Sequence, residues 1–249
     1  GLLTDGATYT LQTRGLHATQ YSKASSAVVT FQIHATVPPA PTVTSSTYTS
    51  GAWASSLTAG SFTFSTTQSD VNRYTYQFDS GAWTTVAAAS PGGSATPSIT
   101  PPAGWHTLKV KAVNTSGMES ATATSYTFGA PGMSSPADGD KTLRYITLNA
   151  AAASNETGVK FQYQLPGTTG WTDIPLAQVT KAGASVSSWP VTTVVSGSQA
   201  SAPAQLVWDA KTTLGSDTPV TIQAVFSGAS AITAGNNPTN TLDSKAYGL

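Results

Sequence analysis

The segment YTYQFDSGAWTTV, from Tyr74 to Val86, alternates aromatic and polar side chains, turns at Asp79–Gly81 and resumes at Trp83. A two-residue period is that of a β-strand with one buried face. Asp, Ser and Gly are typical of a turn between strands. The segment therefore predicts an antiparallel β-hairpin with a row of aromatic side chains on one face.

The same arrangement recurs in FQYQLPGTTGWTDI, from Phe161 to Ile174. Trp83 and Trp171 hold the same place in the two copies, just after the turn that follows the aromatic strand. A position that the fold needs recurs in each copy of the fold, whereas an aromatic binding platform needs to occur only once. We therefore interpret both rings as filler between sheets.

Alternating apolar residues separated by short polar turns continue through most of the chain, as in Leu108–Ala112 and Val220–Ala224. Turn residues about every ten positions are typical of a sandwich or barrel. Only Ile174–Gly183 has the composition of a helical turn. The predicted fold class is all-β, with tandem immunoglobulin-like or fibronectin-III-like antiparallel β-sandwiches.

Two proline-rich joints, Thr36–Val43 and Gly129–Asp140, divide the chain. Proline favours extended backbone, so we expect stiff spacers between compact units. Residues 1–36 are predicted to be the C-terminal strands of a truncated Ig-like domain, and residues 37–129 a complete sandwich. Seven strands are expected in the latter, near residues 43, 62, 76, 83, 99, 110 and 126. Residues 130–249 are predicted to form a sandwich with an insertion near 175–203.

Three segments have the pattern of a closing hairpin, in which an alternating strand is followed by a polar loop and a second strand. They are Gly6–Ile33, Gly104–Ala130 and Thr218–Ser244. This recurrence predicts that one hairpin closes each unit.

Charged residues make up only 9% of the 249-residue chain, against about 25% in ordinary proteins. Eleven basic and eleven acidic residues give a net charge of zero, so nucleic acid and anionic lipid are not expected as partners. The chain has no cysteine, and it shows neither an apolar span nor a signal-peptide pattern. A neutral surface rich in Thr and Ser favours a secreted or cell-surface location, without membrane insertion.

Residues for catalysis are scattered. His17, His34 and His106 share no motif and are interpreted as surface or strand-edge histidines. No G-x-S-x-G segment is present, and the acidic residues lie mostly in turns or at strand ends. We expect no enzymatic activity and no cofactor.

Two weaker candidate sites remain. Asp138 and Asp140 in ADGDKT could hold calcium at a joint, although a linker turn explains the same residues. Aromatic rings on a sandwich face can stack on sugars, so Trp189 and Trp53 are the candidates for glycan binding. Glycan is therefore kept as a possible partner.

The middle unit, through Tyr74–Val86 and GWHTLKVKAVNTSGMES at Gly104–Ser120, resembles the bacterial Ig-like domains found in tandem in large secreted repeat proteins. The last unit, through Pro136–Ala150, WTDIP at Trp171–Pro175 and LVWDA at Leu206–Ala210, is similar to the Ig-like modules that precede the shell of actinobacterial Rhs/YD-repeat proteins. The resemblance implies a non-catalytic spacer or packing scaffold whose partners are neighbouring domains of a longer polypeptide. A carbohydrate-binding or adhesive module and accessory domains of a polysaccharide hydrolase are the alternatives.

Overall fold

The computed structural model describes residues 3–21, 28–33, 36–137, 139, 144–215, 219–228 and 239–242. Within them the chain is almost entirely β-structure, and its sheets are antiparallel. The first eleven strands are β1 (Thr8–Leu11), β2 (Leu16–His17), β3 (Gln20–Tyr21), β4 (Val29–Gln32), β5 (Thr42–Ser45), β6 (Gly60–Ser65), β7 (Val71–Phe78), β8 (Trp83–Ala87), β9 (Ser98–Ile99), β10 (Gly104–Asn114) and β11 (Thr124–Ala130).

The remaining strands begin within the second joint, at β12. They are β12 (Gly132–Ser135), β13 (Tyr145–Thr147), β14 (Asn149–Ala153), β15 (Glu156–Gln164), β16 (Thr172–Asp173), β17 (Val179–Lys181), β18 (Ala184–Ser185), β19 (Val191–Thr192), β20 (Val194–Ser196), β21 (Gln199–Ser201), β22 (Leu206–Asp209), β23 (Val220–Gly228) and β24 (Thr239–Leu242).

In the residues that the structure describes, two short helices interrupt the strands. A 3-10 turn at Leu176–Gln178 confirms the helical turn predicted from the sequence. The helix α1 (Ala210–Leu214) contradicts the prediction that no other segment is helical. Its start is readable in the sequence, because Asp209 is a favoured N-cap residue and accepts a hydrogen bond from the Thr212 amide at 3.2 Å.

The middle unit contains all seven predicted strands. They form a three-stranded sheet in the order β5-β6-β9 and a four-stranded sheet in the order β11-β10-β7-β8. Alternation turns one face of each sheet inward. Phe62 and Phe64 of β6 share a buried cluster with Tyr74, Leu108 and Phe128 of the larger sheet.

The last unit repeats the larger sheet, since β24-β23-β15-β16 has the strand order of β11-β10-β7-β8. Two further sheets, β12-β14-β21-β20 and β13-β22-β17-β18, belong to this unit. A second buried cluster includes Phe161, Ile222 and Trp208. The segment predicted as an insertion, 175–203, supplies strands β17 to β21, and several of these pair with strands outside it.

All three predicted closing hairpins are antiparallel pairs: β1 with β4, β10 with β11, and β23 with β24. The first differs from the second in burial, because Leu11 and Val29 are 55% and 56% exposed. No helix in the described part of the chain is long and apolar enough to cross a bilayer.

Candidate interdomain interface

The six tryptophans lie in different environments. Trp208 is fully buried, whereas Trp83 is 44% exposed and the other four are half-buried. The interpretation of Trp83 as filler between sheets is therefore wrong. Trp83 begins the edge strand β8 opposite Gln77, and the Lys111 ammonium lies 5.4 Å from its ring centroid. Trp171 is half-buried.

Trp189 packs on the core of the last unit. Its ring centroid lies 6.2 Å from that of Phe161, and its indole Nε1 donates to the carbonyl oxygen of Ile174 at 2.7 Å. The polar atom of the indole and much of its ring are thus already engaged within the unit. The glycan-binding role of Trp189 stays a prediction, and the side chain is half-buried.

Trp53 joins the middle unit to the last one. It lies in the loop between β5 and β6, and its indole Nε1 donates to the carbonyl oxygen of Ser198 at 2.7 Å. Ser198 belongs to the turn between β20 and β21. Because a tryptophan ring has only two side-chain torsions, this contact orders it at a small entropic cost.

Gln199, the first residue of β21, makes a second link beside it. Its Oε1 accepts from the backbone amide of Trp105 at 2.9 Å, and its Nε2 donates to Ser201 Oγ at 2.7 Å. The Trp53 and Trp105 rings lie 5.9 Å apart with an interplanar angle of 46°. The two hydrogen bonds therefore flank an aromatic pair.

Small residues allow this close approach. A Cβ on Gly129 would lie 2.2 Å from Trp53 Cδ2, so the indole rests directly on the glycine backbone. A Cβ on Gly132 would lie 2.9 Å from both Ala103 Cβ and Leu57 Cδ2. The contact surface of the joint thus depends on glycine at both positions.

The second joint is a packed connection in its first half. Residues 129–133 are buried, and the chain passes from β11 to β12 across Pro131 alone. The stiff spacer predicted here is packed against both units, because Gly132 approaches Ala103 and Leu57 of the middle unit and Met133 belongs to the core of the last unit. We call one set of residues the joint contact: Trp53, Trp105, Gly129, Ser198 and Gln199.

His106 is also placed differently from the prediction, because it is only 5% exposed. Its ring nitrogens face Asp79 Oδ2 and the carbonyl oxygen of Pro102, each at 2.9 Å. Asp79 Oδ1 also accepts from the Thr107 amide at 2.8 Å. The histidine therefore fixes the turn after β7 and the loop that leads into Trp105, next to the joint contact.

Most of the scattered acidic residues have structural partners. Ion pairs join Glu119 to Lys111 at 3.1 Å and Asp173 to Lys160 at 3.0 Å. Glu156 differs, since it is fully buried and neither carboxylate oxygen has a hydrogen-bond partner among the described residues. Within the described ranges, no group of three or more His, Asp or Glu side chains could hold a metal ion.

Two of the sequence predictions fall outside the described residues. These are the calcium candidates Asp138 and Asp140, and the interpretation of His34. His17 lies at the surface, as predicted.

An ion pair with two hydrogen bonds lies at the end of β22. Arg144 donates from Nε to Asp209 Oδ1 at 3.0 Å and from Nη2 to Oδ2 at 2.6 Å. These hydrogen bonds are the largest cause of the lowering of the Asp209 pKa to about 2, and the bonds from Thr212 add to it. Asp209 thus connects β22, α1 and the segment before β13.

No protein-family model matches the chain, and no curated protein sequence matches it significantly. The function of the chain is therefore inferred from the joint contact and the strand pairing.

Proposed function

We propose that the chain is a tandem of Ig-like, fibronectin-III-like sandwiches that acts as a non-catalytic spacer or packing scaffold in a secreted or cell-surface bacterial repeat protein. The observation that supports this most is the joint contact, which couples one unit to the next through two hydrogen bonds, from the Trp53 indole to Ser198 and from the Trp105 amide to Gln199. A scaffold needs such coupling because it must hold neighbouring units in a fixed orientation along its length.

The strand pairing supports the Ig-like assignment. In the middle unit the first, second and fifth strands form one sheet, and the third, fourth, sixth and seventh form the other. Seven short antiparallel strands in two sheets over about a hundred residues are the plan of this fold class. The repeat of the larger sheet in the last unit supports a tandem.

The joint contact supports stiffness. Domains in one chain move relative to each other by default unless their interface is well packed. Here the indole of Trp53 bonds to Ser198 and Gly132 packs against Leu57 and Ala103, so a hinge motion would break a 2.7 Å hydrogen bond and separate close-packed atoms. The low content of charged residues, 9%, agrees with a display role outside the cell, where few lysines and arginines leave few trypsin-like cleavage sites.

The test is a distance distribution across the joint. Because the chain has no cysteine, Thr85→Cys on β8 and Ala184→Cys on β18 can be spin-labelled as a single pair. We expect one narrow distribution of label-to-label distances by pulsed electron–electron double resonance. Adding Trp53→Phe, which removes the indole donor to Ser198, should broaden it.

Trp83→Phe is the matched control, since it makes the same change at an exposed position away from the joint contact. It should leave the distribution unchanged. A broad distribution in the parent chain, or equal distributions with Trp53→Phe and Trp83→Phe, would contradict the proposal of a stiff scaffold.

A glycan-binding or adhesive role is the second candidate, and one observation favours it. Trp83 is 44% exposed on an edge strand, with a lysine above its ring. An exposed indole can stack on a sugar ring. Binding on a glycan array that Trp83→Ala abolishes would support this role, and binding unaffected by that change would count against it.

A further inference from the structure

The β1–β4 hairpin has one apolar face and one polar face. Tyr9 pairs with Phe31 and Leu11 with Val29, and side chains paired across two strands lie on the same side. The Tyr9 and Phe31 rings are stacked at 5.9 Å. Thr10 and its partner Thr30 lie on the opposite side.

This apolar face is open to solvent in the described part of the chain. Leu11 is 55% exposed, Val29 56% and Phe31 38%. A lone two-stranded hairpin is at best marginally stable in water, so a row of large apolar side chains in one indicates a face that is covered when the protein functions.

The middle unit shows what covers the equivalent face. There β10 and β11 form the same hairpin, in which Leu108 pairs with Tyr126. Leu108 is fully buried and Tyr126 is 7% exposed. Phe62 from the opposite sheet lies 6.0 Å from Tyr126, ring to ring.

The equivalent edge is covered as well. The side of β10 that faces away from β11 pairs with β7, and Leu108 meets Phe78 while Val110 meets Tyr76. In the last unit β23 pairs with β15 in the same way. By contrast, β1 pairs only with β4 among the described strands.

We propose that the free edge of β1 binds a β-strand that runs antiparallel to it, carries alternating aromatic side chains like β7, and is supplied by a neighbouring module of the polypeptide. In this register one aromatic side chain lies beside Tyr9 and the next beside Leu11. Backbone hydrogen bonds along β1 give affinity, and the aromatic row continues the apolar face and gives specificity. The proposal rests on the tandem-sandwich function.

The probe is a fluorescein-labelled peptide of β7, VNRYTYQF, from Val71 to Phe78, titrated with the full chain and followed by anisotropy. We expect saturable binding. Leu11→Lys, which places a charge on the apolar face, should raise the Kd at least about tenfold. Thr10→Lys, which places the same charge on the polar face one residue away, should change it less than about twofold.

When the peptide is present, hydrogen exchange should show new protection of those amides among residues 8–11 that point away from β4. A peptide with all three aromatic residues changed to Ser should not bind. Absence of binding, or equal Kd values for Leu11→Lys and Thr10→Lys, overturns the proposal. The second result would arise if the peptide displaced β7 from the middle unit.

A second copy of the chain is the other possible occupant. If the parent chain sediments as a dimer that Leu11→Lys converts to a monomer, and the peptide does not bind, the neighbouring-module proposal is overturned. The labels at positions 85 and 184 lie outside the hairpin, so the distance measurement across the joint tests the scaffold function separately.

Discussion

The two repeated sheets differ at one edge. In the middle unit β8 is a continuous strand that pairs with β7 from Gln77–Trp83 to Arg73–Ala87. In the last unit the equivalent edge of β15 is shared by two short strands, since β16 pairs at Gln162 and Tyr163 and β19 pairs at Gly158 and Val159. Between β16 and β19, residues 174–190 run away from this edge of the sheet.

This difference explains the additional residues of the last unit. The chain leaves the edge at Ile174, makes the 3-10 turn and the β17–β18 hairpin, and returns at Trp189. The indole of Trp189 donates to the carbonyl of Ile174 at 2.7 Å and so joins the two ends of the excursion. A sheet can thus keep its strand order while one edge strand is split by an insertion.

The largest loss of stability is expected from Trp208→Ala. Trp208 is fully buried, its ring centroid lies 5.5 Å from that of Tyr163, and it pairs with Val179 inside the excursion. Truncating a buried tryptophan costs about 3–5 kcal/mol. Denaturant unfolding should show the last unit destabilised by that amount, and a loss below about 1 kcal/mol would mean that the excursion is not anchored on this core.

A smaller effect is expected from Trp189→Phe, which keeps an aromatic ring and removes the donor to Ile174. Leaving a carbonyl without its partner should cost about 1 kcal/mol. Trp171→Phe is the control, because no acceptor in the described residues is bonded to that indole. Equal free energies of unfolding for the two variants would contradict the closing role of Trp189.

Low pH should destabilise the last unit through protonation of Asp209. Its folded pKa, about 2, lies below the ordinary value of 3.8, so its contribution to stability is present above pH 3.8 and is lost as the pH falls towards 2. We expect the melting temperature of the parent chain to fall more steeply over that range than that of Arg144→Gln. Arg73→Gln, which removes a guanidinium in the middle unit, should keep the parent slope, and identical slopes for all three would show that the Arg144 pair is not linked to folding.

The smallest effect is expected from Trp83→Ala. The unbroken edge strand leaves this ring 44% exposed, and surface changes away from special features usually alter stability by less than about 0.5 kcal/mol. A loss comparable to that of Trp208→Ala would mean that Trp83 is core filler after all, and that the contrast between the two edges is false.

The sequence predicts the strands well, because alternation and turn residues are local signals. All seven strands expected in residues 37–129 are found, and the repeat of Tyr74–Val86 in Phe161–Ile174 corresponds to a repeat of strand order. The 3-10 turn is also predicted. The helix α1 escapes prediction although Asp209 and Gly215 mark its ends, because its five residues are too few to show a helical period.

The features that escape prediction depend on contacts between distant residues. Alternation predicts which face of its strand Trp83 lies on, but it does not predict whether anything covers that face. The hydrogen bond from Trp53 to Ser198 joins residues 145 positions apart, and no local pattern pairs them. The sequence marks Trp53 only as a ligand candidate, for its aromatic ring, and Gln199 has no signal in the sequence at all.

The most direct test of the scaffold account is the rotational motion of the two units in the parent chain, measured by ¹⁵N relaxation of the backbone amides of β10 and β23. The joint contact predicts the same overall rotational correlation time for both strands, as expected for a single rigid body. Two clearly different correlation times would show that the units tumble separately, and the account of a coupled scaffold would then be wrong.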